Sequence, residues 1–162
     1  MSNLNEKLIK AAEQDNFNKV KYLIEQGADV HANNDHALQW ASRNGHLPVV
    51  KYLIEQGADV HARDDCALRW ASAEARASEK GHLPVVKYLI EQGANVHVCD
   101  NQALQWASEK GHFQTLAYLF IQCKSDYQNA LEWHSELMKI INKNDQAIQT
   151  LPALADWLTR SK

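Results

Sequence analysis

Apolar residues recur along this chain in two alternating patterns. Ala37, Leu38, Trp40 and Ala41 form a short cluster that gives way to polar residues and Gly45. Val49, Val50, Leu53 and Ile54 then follow at spacings of one to four and stop at Gly57. Such spacing puts apolar side chains on one face of a helix, so the pattern predicts two short helices in succession. Gly45 marks the turn between them, because glycine readily takes the left-handed backbone that closes a helix. Pro48 falls in the first turn of the second helix, where a missing N–H costs nothing. Asp35 stands just before the first helix as its expected N-cap.

The pair repeats. Gly27-Ala28-Asp29-Val30-His31-Ala32 returns at 57 to 62 and, as Gly93-Ala94-Asn95-Val96-His97-Val98, once more. Ala37-Leu38-Gln39-Trp40-Ala41-Ser42 returns at 67 to 72 and 103 to 108, and Gly45 to Gln56 is copied at Gly81 to Gln92, with a looser version from Gly111 to Gln122. Asp65, and Asp100 or Asn101, are the corresponding caps. The interval is 30 residues from Trp40 to Trp70 and 36 from Trp70 to Trp106, so one unit carries six extra residues. Repetition at this period points to a solenoid, whose units bury their apolar faces against their neighbours. Residues 1–162 are read as one such domain. Its first unit, 4–27, is a cap with Lys10 in place of Trp40 and Asp15 in place of Gly45. Central units occupy 28–123, and 124–162 hold a degenerate unit around Trp133 and a last helix containing Leu154, Trp157 and Leu158. The six extra residues lie near 73–78. They turn a helix by about 600°, which is not a whole number of turns. The segment's helix-forming composition favours a lengthened first helix to about Ala77, followed by a compensating loop.

Composition adds exclusions. With 45% apolar and 23% charged residues and a net charge of -3, the chain fits neither a disordered polymer nor a strongly basic nucleic-acid binder. No run approaches the roughly 18 apolar residues of a membrane span. The N-terminal residues lack a secretory pattern and the C-terminus lacks a lipidation motif, so a cytoplasmic location, in the producing cell or a host cell, is expected. Cys66, Cys99 and Cys123 are odd in number and irregular in spacing, which favours reduced thiols.

The Gly-His-Leu-Pro-Val-Val-Lys-Tyr-Leu-Ile blocks at 45–54 and 81–90, each followed by Gly-Ala-Asp/Asn-Val, resemble the ankyrin repeat family over roughly residues 4 to 142. The resemblance implies an all-α solenoid of stacked antiparallel helix pairs, whose projecting turns and concave face bind other proteins. Two departures stand out. The family unit is about 33 residues and opens its first helix with Thr-Pro-Leu-His; here it is 30 and opens with Ala-Leu-x-Trp. The inter-repeat hairpins should therefore be clipped to tighter turns, with Trp40, Trp70, Trp106 and Trp133 filling space beside them. This short, Trp-bearing unit resembles those of ankyrin proteins in large DNA viruses that infect amoebae.

Candidate chemistry is sparse. Repeat-equivalent histidines stand about 10 Å apart, whereas zinc ligands lie near 2 Å from one ion, so His31, His61 and His97, or His46, His82 and His112, cannot chelate as ladders. The Gly-His pairs are expected to pin the turns between helices. No nucleophile elbow, His-Glu-x-x-His segment or phosphate loop is present, so no catalysis, metal or cofactor is expected. The informative positions are those that change while their surroundings repeat. Asn33, His36, Gln39, Arg43, Arg63, Cys66, Arg69, Asp100, Gln102, Gln105 and Glu109 are such positions. By analogy with the family they face the concavity, with Arg69 at its centre. The expected function is a monomeric, non-catalytic protein-interaction module, a host protein being one candidate partner. Nucleic-acid binding through Arg43, Arg63, Arg69, Arg76 and Lys80, self-association through Trp133 and Trp157, and an isolated scaffold are the alternatives.

Overall fold

The computed structural model describes residues 2–73 and 82–122. Residues 74–78 of the insertion, which include Arg76, together with Lys80, Cys123, the degenerate unit and the last helix, lie outside the described residues. Within them the chain forms helix pairs: α1 (Ser2–Glu13) with α2 (Phe17–Glu25), α3 (Ala32–Arg43) with α4 (Leu47–Glu55), α5 (Ala62–Ala73) with α6 (Leu83–Glu91), and α7 (Val98–Glu109) with α8 (Phe113–Gln122). No strand occurs among the described residues. Each first helix packs on its own second helix and on the first helices of neighbouring units, while α2, α4, α6 and α8 form a second layer.

The core is the sum of the gaps between units. Ala37, Leu38 and Ala41 of α3, Ala67, Leu68 and Ala71 of α5, and Ala103, Leu104 and Ala107 of α7 are buried. The alanines let first helices approach closely, and each leucine contributes about 1.5–3 kcal/mol of apolar burial. Val49, Val50 and Leu53, and their copies Val85, Val86 and Leu89, seal each second helix against the layer beside it. In the first unit Leu8, Ala11, Ala12, Val20 and Leu23 do the same work.

The clipped turns have a definite form. The segments assigned to α3 and α5 begin with left-handed residues: Asn33, Asn34 and Asp35 at φ 56°, 59° and 57°, and Arg63, Asp64 and Asp65 at 54°, 55° and 51°. Cys99, at the corresponding place in α7, has φ 52°. Asparagine and aspartate tolerate this region because their short polar side chains bond locally, whereas other L-residues resist it. A short left-handed stretch thus replaces the longer hairpin and delivers the chain into the right-handed helix at His36 or Cys66.

Asp35 and Asp65 differ from the expected caps. Each is buried, and each bonds outside the helix it precedes. Asp35 Oδ1 accepts from His31 Nδ1 at 3.1 Å and from the backbone N–H of Asp59, in the following turn, at 2.9 Å. Asp65 Oδ1 accepts from His61 Nδ1 at 3.0 Å and from the N–H of Asn95 at 3.0 Å. Asn5 begins the series, accepting from the N–H of Asp29 at 2.8 Å. These carboxylates and the leading amide staple one unit to the next, because the clipped turn places a backbone donor where a carboxylate of the preceding unit can reach it.

The Gly-His pairs also act between units. The ring Nε2 of His46 donates to the Glu13 carbonyl of the preceding unit at 3.0 Å, beside Asn44 Nδ2 donating to the same oxygen at 3.0 Å. Gly45, at φ 78°, lies directly against the ring of His82: a Cβ there would stand 2.2 Å from His82 Nδ1. The histidine therefore needs a glycine in the preceding unit as its seat, and Gly45 is required for space as well as for its backbone angle.

Candidate protein-binding face

Each left-handed turn leads into a first helix, so the variable residues collect where turn and helix meet. Asn33 and Arg63 are exposed at the first left-handed position. His36, half-buried one turn into α3, lies with its ring 6.0 Å from that of Trp40. Burial, followed by the positive charge of Arg63, holds the His36 imidazole below its ordinary pKa.

Trp40 and Trp70 are half-buried and meet edge to face, with centroids 5.7 Å apart and planes at 71°. This arrangement suits the charge distribution of aromatic rings. The Arg43 guanidinium carbon lies 4.9 Å from the Trp40 centroid and 5.2 Å from that of Trp70. Arg43 thus binds both rings as a cation and joins two units. Trp40 and Trp70 thus pack against each other between neighbouring first helices. Spacing foreshadowed part of this, since Trp40 and Arg43 are three apart on one helix face.

Other candidates are consumed inside the stack. Gln39 is only 1% exposed, and its Nε2 donates to the Asn34 carbonyl at 2.6 Å. It closes the left-handed turn and presents no surface to a partner. Cys66 is likewise buried, its thiol pushed above the ordinary range by desolvation and by Cys99, with Arg69 and Arg63 opposing. Arg69, expected at the centre of the face, is a half-buried brace. Its Nη1 donates to Gln102 Oε1 at 2.5 Å and contacts Cys99 Sγ at 3.7 Å, and its Nη2 donates to the Arg63 carbonyl at 3.1 Å. Arg69 therefore repeats the role of Gln39 toward its own turn and adds a link to α7. Gln102 is half-buried as its acceptor, and Gln105 is exposed. Asp100 and Glu109 belong to α7, but their side chains lie outside the described residues.

On the second-helix layer, Phe17 meets Tyr52 edge to face at 5.5 Å. Lys51 stands over Tyr88 at 5.3 Å, and Lys87 over Tyr118 at 5.2 Å. Repeated lysines there are spent on contacts between units. Among the described residues, no three or more His, Cys, Asp or Glu side chains gather where a metal could bind. No described helix is long and apolar enough to cross a membrane.

A column of helix pairs, each buried against the next and joined by short turns, is an α-helical repeat solenoid. Sequence models of one family account for most of it: one described as ankyrin repeats in three copies matches residues 3–64, and one described as ankyrin repeats in many copies matches residues 69–120. The chain belongs to the ankyrin repeat family. Members of that family are generally non-catalytic modules for protein-protein interaction.

Proposed function

We propose that this chain is a non-catalytic interaction module that binds a partner protein through the concave side formed by its turns and the adjoining ends of the first helices. One observation carries the reading. At positions 33, 63 and 99 the backbone keeps one left-handed geometry, with φ of 56°, 54° and 52°, while the exposed side chain changes from asparagine to arginine to cysteine. Packing does not dictate the exposed Asn33 and Arg63 side chains, while Cys99, also exposed, meets Arg69. The buried neighbours repeat instead: Ala37 and Leu38 return as Ala67 and Leu68 and as Ala103 and Leu104. A conserved frame carrying a varied surface is how a repeat protein acquires specificity without altering its fold.

The reduced-thiol composition favours a cytoplasmic site of action, and the short Trp-bearing units favour a host protein as the target. Photo-crosslinking tests the face. A benzophenone amino acid replacing Gln105, exposed on α7, should yield a discrete partner adduct from the native cell extract. The same group at Glu55, exposed on α4, should yield none. Adducts formed only from position 55 would place the interaction on the other layer and refute the assignment.

A further inference from the structure

Two thiols from successive units meet one side chain. Cys66 opens the right-handed part of α5 and Arg69 follows three residues later, so both lie on one helix face. The Cys66 thiol is within hydrogen-bonding reach of Arg69, and Arg69 Nη1 stands 3.7 Å from Cys99 Sγ, in the turn that leads into α7. Neither cysteine belongs to the repeated frame: His36 and Gln102 take the place of Cys66, and Asn33 and Arg63 that of Cys99. The two differ in access, Cys99 being exposed and Cys66 buried. Desolvation raises the pKa of the Cys66 thiol and keeps it protonated, although Arg69 and Arg63 oppose the rise. An oxidant in solution therefore meets Cys99 first. The carboxylate next to Cys66, that of Asp65, is held by His61 and by the Asn95 N–H.

We propose that Cys99 and Cys66 are a peroxide-responsive pair, in which a hydroperoxide oxidises Cys99 and Cys66 resolves the product into a disulfide between two units. In the first step the Cys99 thiolate attacks one peroxide oxygen. An S–O bond forms, the O–O bond breaks, and Cys99 becomes a sulfenic acid while the second oxygen leaves as hydroxide. In the second step the Cys66 sulfur attacks the Cys99 sulfur. The S–S bond replaces the S–O bond, and hydroxide leaves with the Cys66 proton as water. Two thiols and one hydrogen peroxide thus give one disulfide and two waters. A disulfide needs Cβ atoms about 3.5–4.5 Å apart, so closure draws the Cys99 turn toward α5 and displaces the Arg69 guanidinium that both sulfurs now meet. In a reducing compartment such a bond is transient and the thiols are the resting state. The pairing is independent of what the turn side binds.

The test treats the full reduced chain with stoichiometric hydrogen peroxide at neutral pH, blocks remaining thiols with iodoacetamide and maps tryptic peptides without reduction. The peptides 64–69 and 88–110, which carry Cys66 and Cys99, should be joined within a monomer, and dithiothreitol should separate them. Cys66→Ser should trap the sulfenic acid at Cys99, where dimedone labels it, and Cys99→Asn, which copies Asn33, should leave Cys66 unlabelled. Glutathione redox buffers measure how strongly the fold holds the pair together. The effective concentration of one thiol at the other should be at least about tenfold higher in the folded chain than in concentrated urea. Equal values in the two states overturn the proposal. So do a link from Cys99 to Cys123, disulfide-joined dimers in place of the internal bond, or sulfinic acid at Cys99 beside a free Cys66. Dimedone on Cys66 in Cys99→Asn would reverse the assigned roles and refute the sequence of steps. The peptide map and the glutathione measurement use the unsubstituted chain, so they decide the matter even if a variant fails to fold.

Discussion

Replacing Asp35 by alanine should loosen the junction between two units, and the cost can be worked from its contacts. The carboxylate accepts from the Asp59 N–H at 2.9 Å, and a hydrogen bond to a charged group contributes about 1.5–3 kcal/mol. Its contact with His31 adds little, because the His31 side chain is 57% exposed and water replaces the carboxylate. Alanine at φ 57° costs about a further 1 kcal/mol relative to aspartate. Relief from burying a carboxylate offsets part of the sum. Asp35→Ala should therefore destabilise by about 2–3 kcal/mol. Asp35→Asn, which keeps both an oxygen acceptor and tolerance of the left-handed backbone, should cost about 1 kcal/mol. At the head of the series, Asn5→Ala removes a neutral bond near the surface and should cost about 0.5–1 kcal/mol. Urea unfolding at pH 7, followed by far-UV circular dichroism, ranks the three. Hydrogen exchange adds a local readout, since the Asp59 amide should lose protection in Asp35→Ala before distant amides do. A variant within 0.5 kcal/mol of the parent, or an asparagine as damaging as the alanine, would refute the staple. A repeat array need not unfold in one step, so the amide-specific result is the sharper of the two.

Two further perturbations probe the turns. Gly57→Ala meets no atom within 4 Å and should cost only the strain of a side chain at φ 98°, about 1 kcal/mol, whereas Gly45→Ala adds a collision with the His82 ring and should cost at least twice as much. Combining Gly45→Ala with His82→Ala should recover the collision but not the backbone strain, which thermal unfolding of the double-mutant cycle measures. The depressed pKa of His36 makes a signed pH prediction: unfolded chains take up its proton first as pH falls below about 6.5, so its contribution to stability is present above that pH and lost as pH falls through the lower folded value. His36→Gln, which copies Gln102, should flatten that part of the difference in stability between pH 7 and pH 5; an unchanged slope would show that other groups carry it.

The sequence contained the period, the paired helices, the buried leucines, alanines and valines, and the shortening of the turns. All of these follow from spacing within about 30 residues and from the conformational preferences of glycine, proline, asparagine and aspartate. Variation between copies also marked Asn33 and Arg63, and both are exposed at the turns. It could not separate a varied surface from a varied brace. Gln39 and Arg69 occupy one register and differ in side chain, but both turn inward to bond a carbonyl of their own left-handed stretch.

What the tertiary structure alone decided is the set of bonds made across units. Asp35 reaches an amide 24 residues away, Asp65 one 30 away, and Arg69 a glutamine 33 away. Helical periodicity assigns each side chain to a face of its own helix, but its partner depends on how far the next unit is shifted and rotated. That offset is set by the close packing of alanine-faced helices and by the left-handed turns between them. Asp35 therefore read as a helix cap in the sequence and became the clasp between units once the neighbouring turn had brought its backbone within reach.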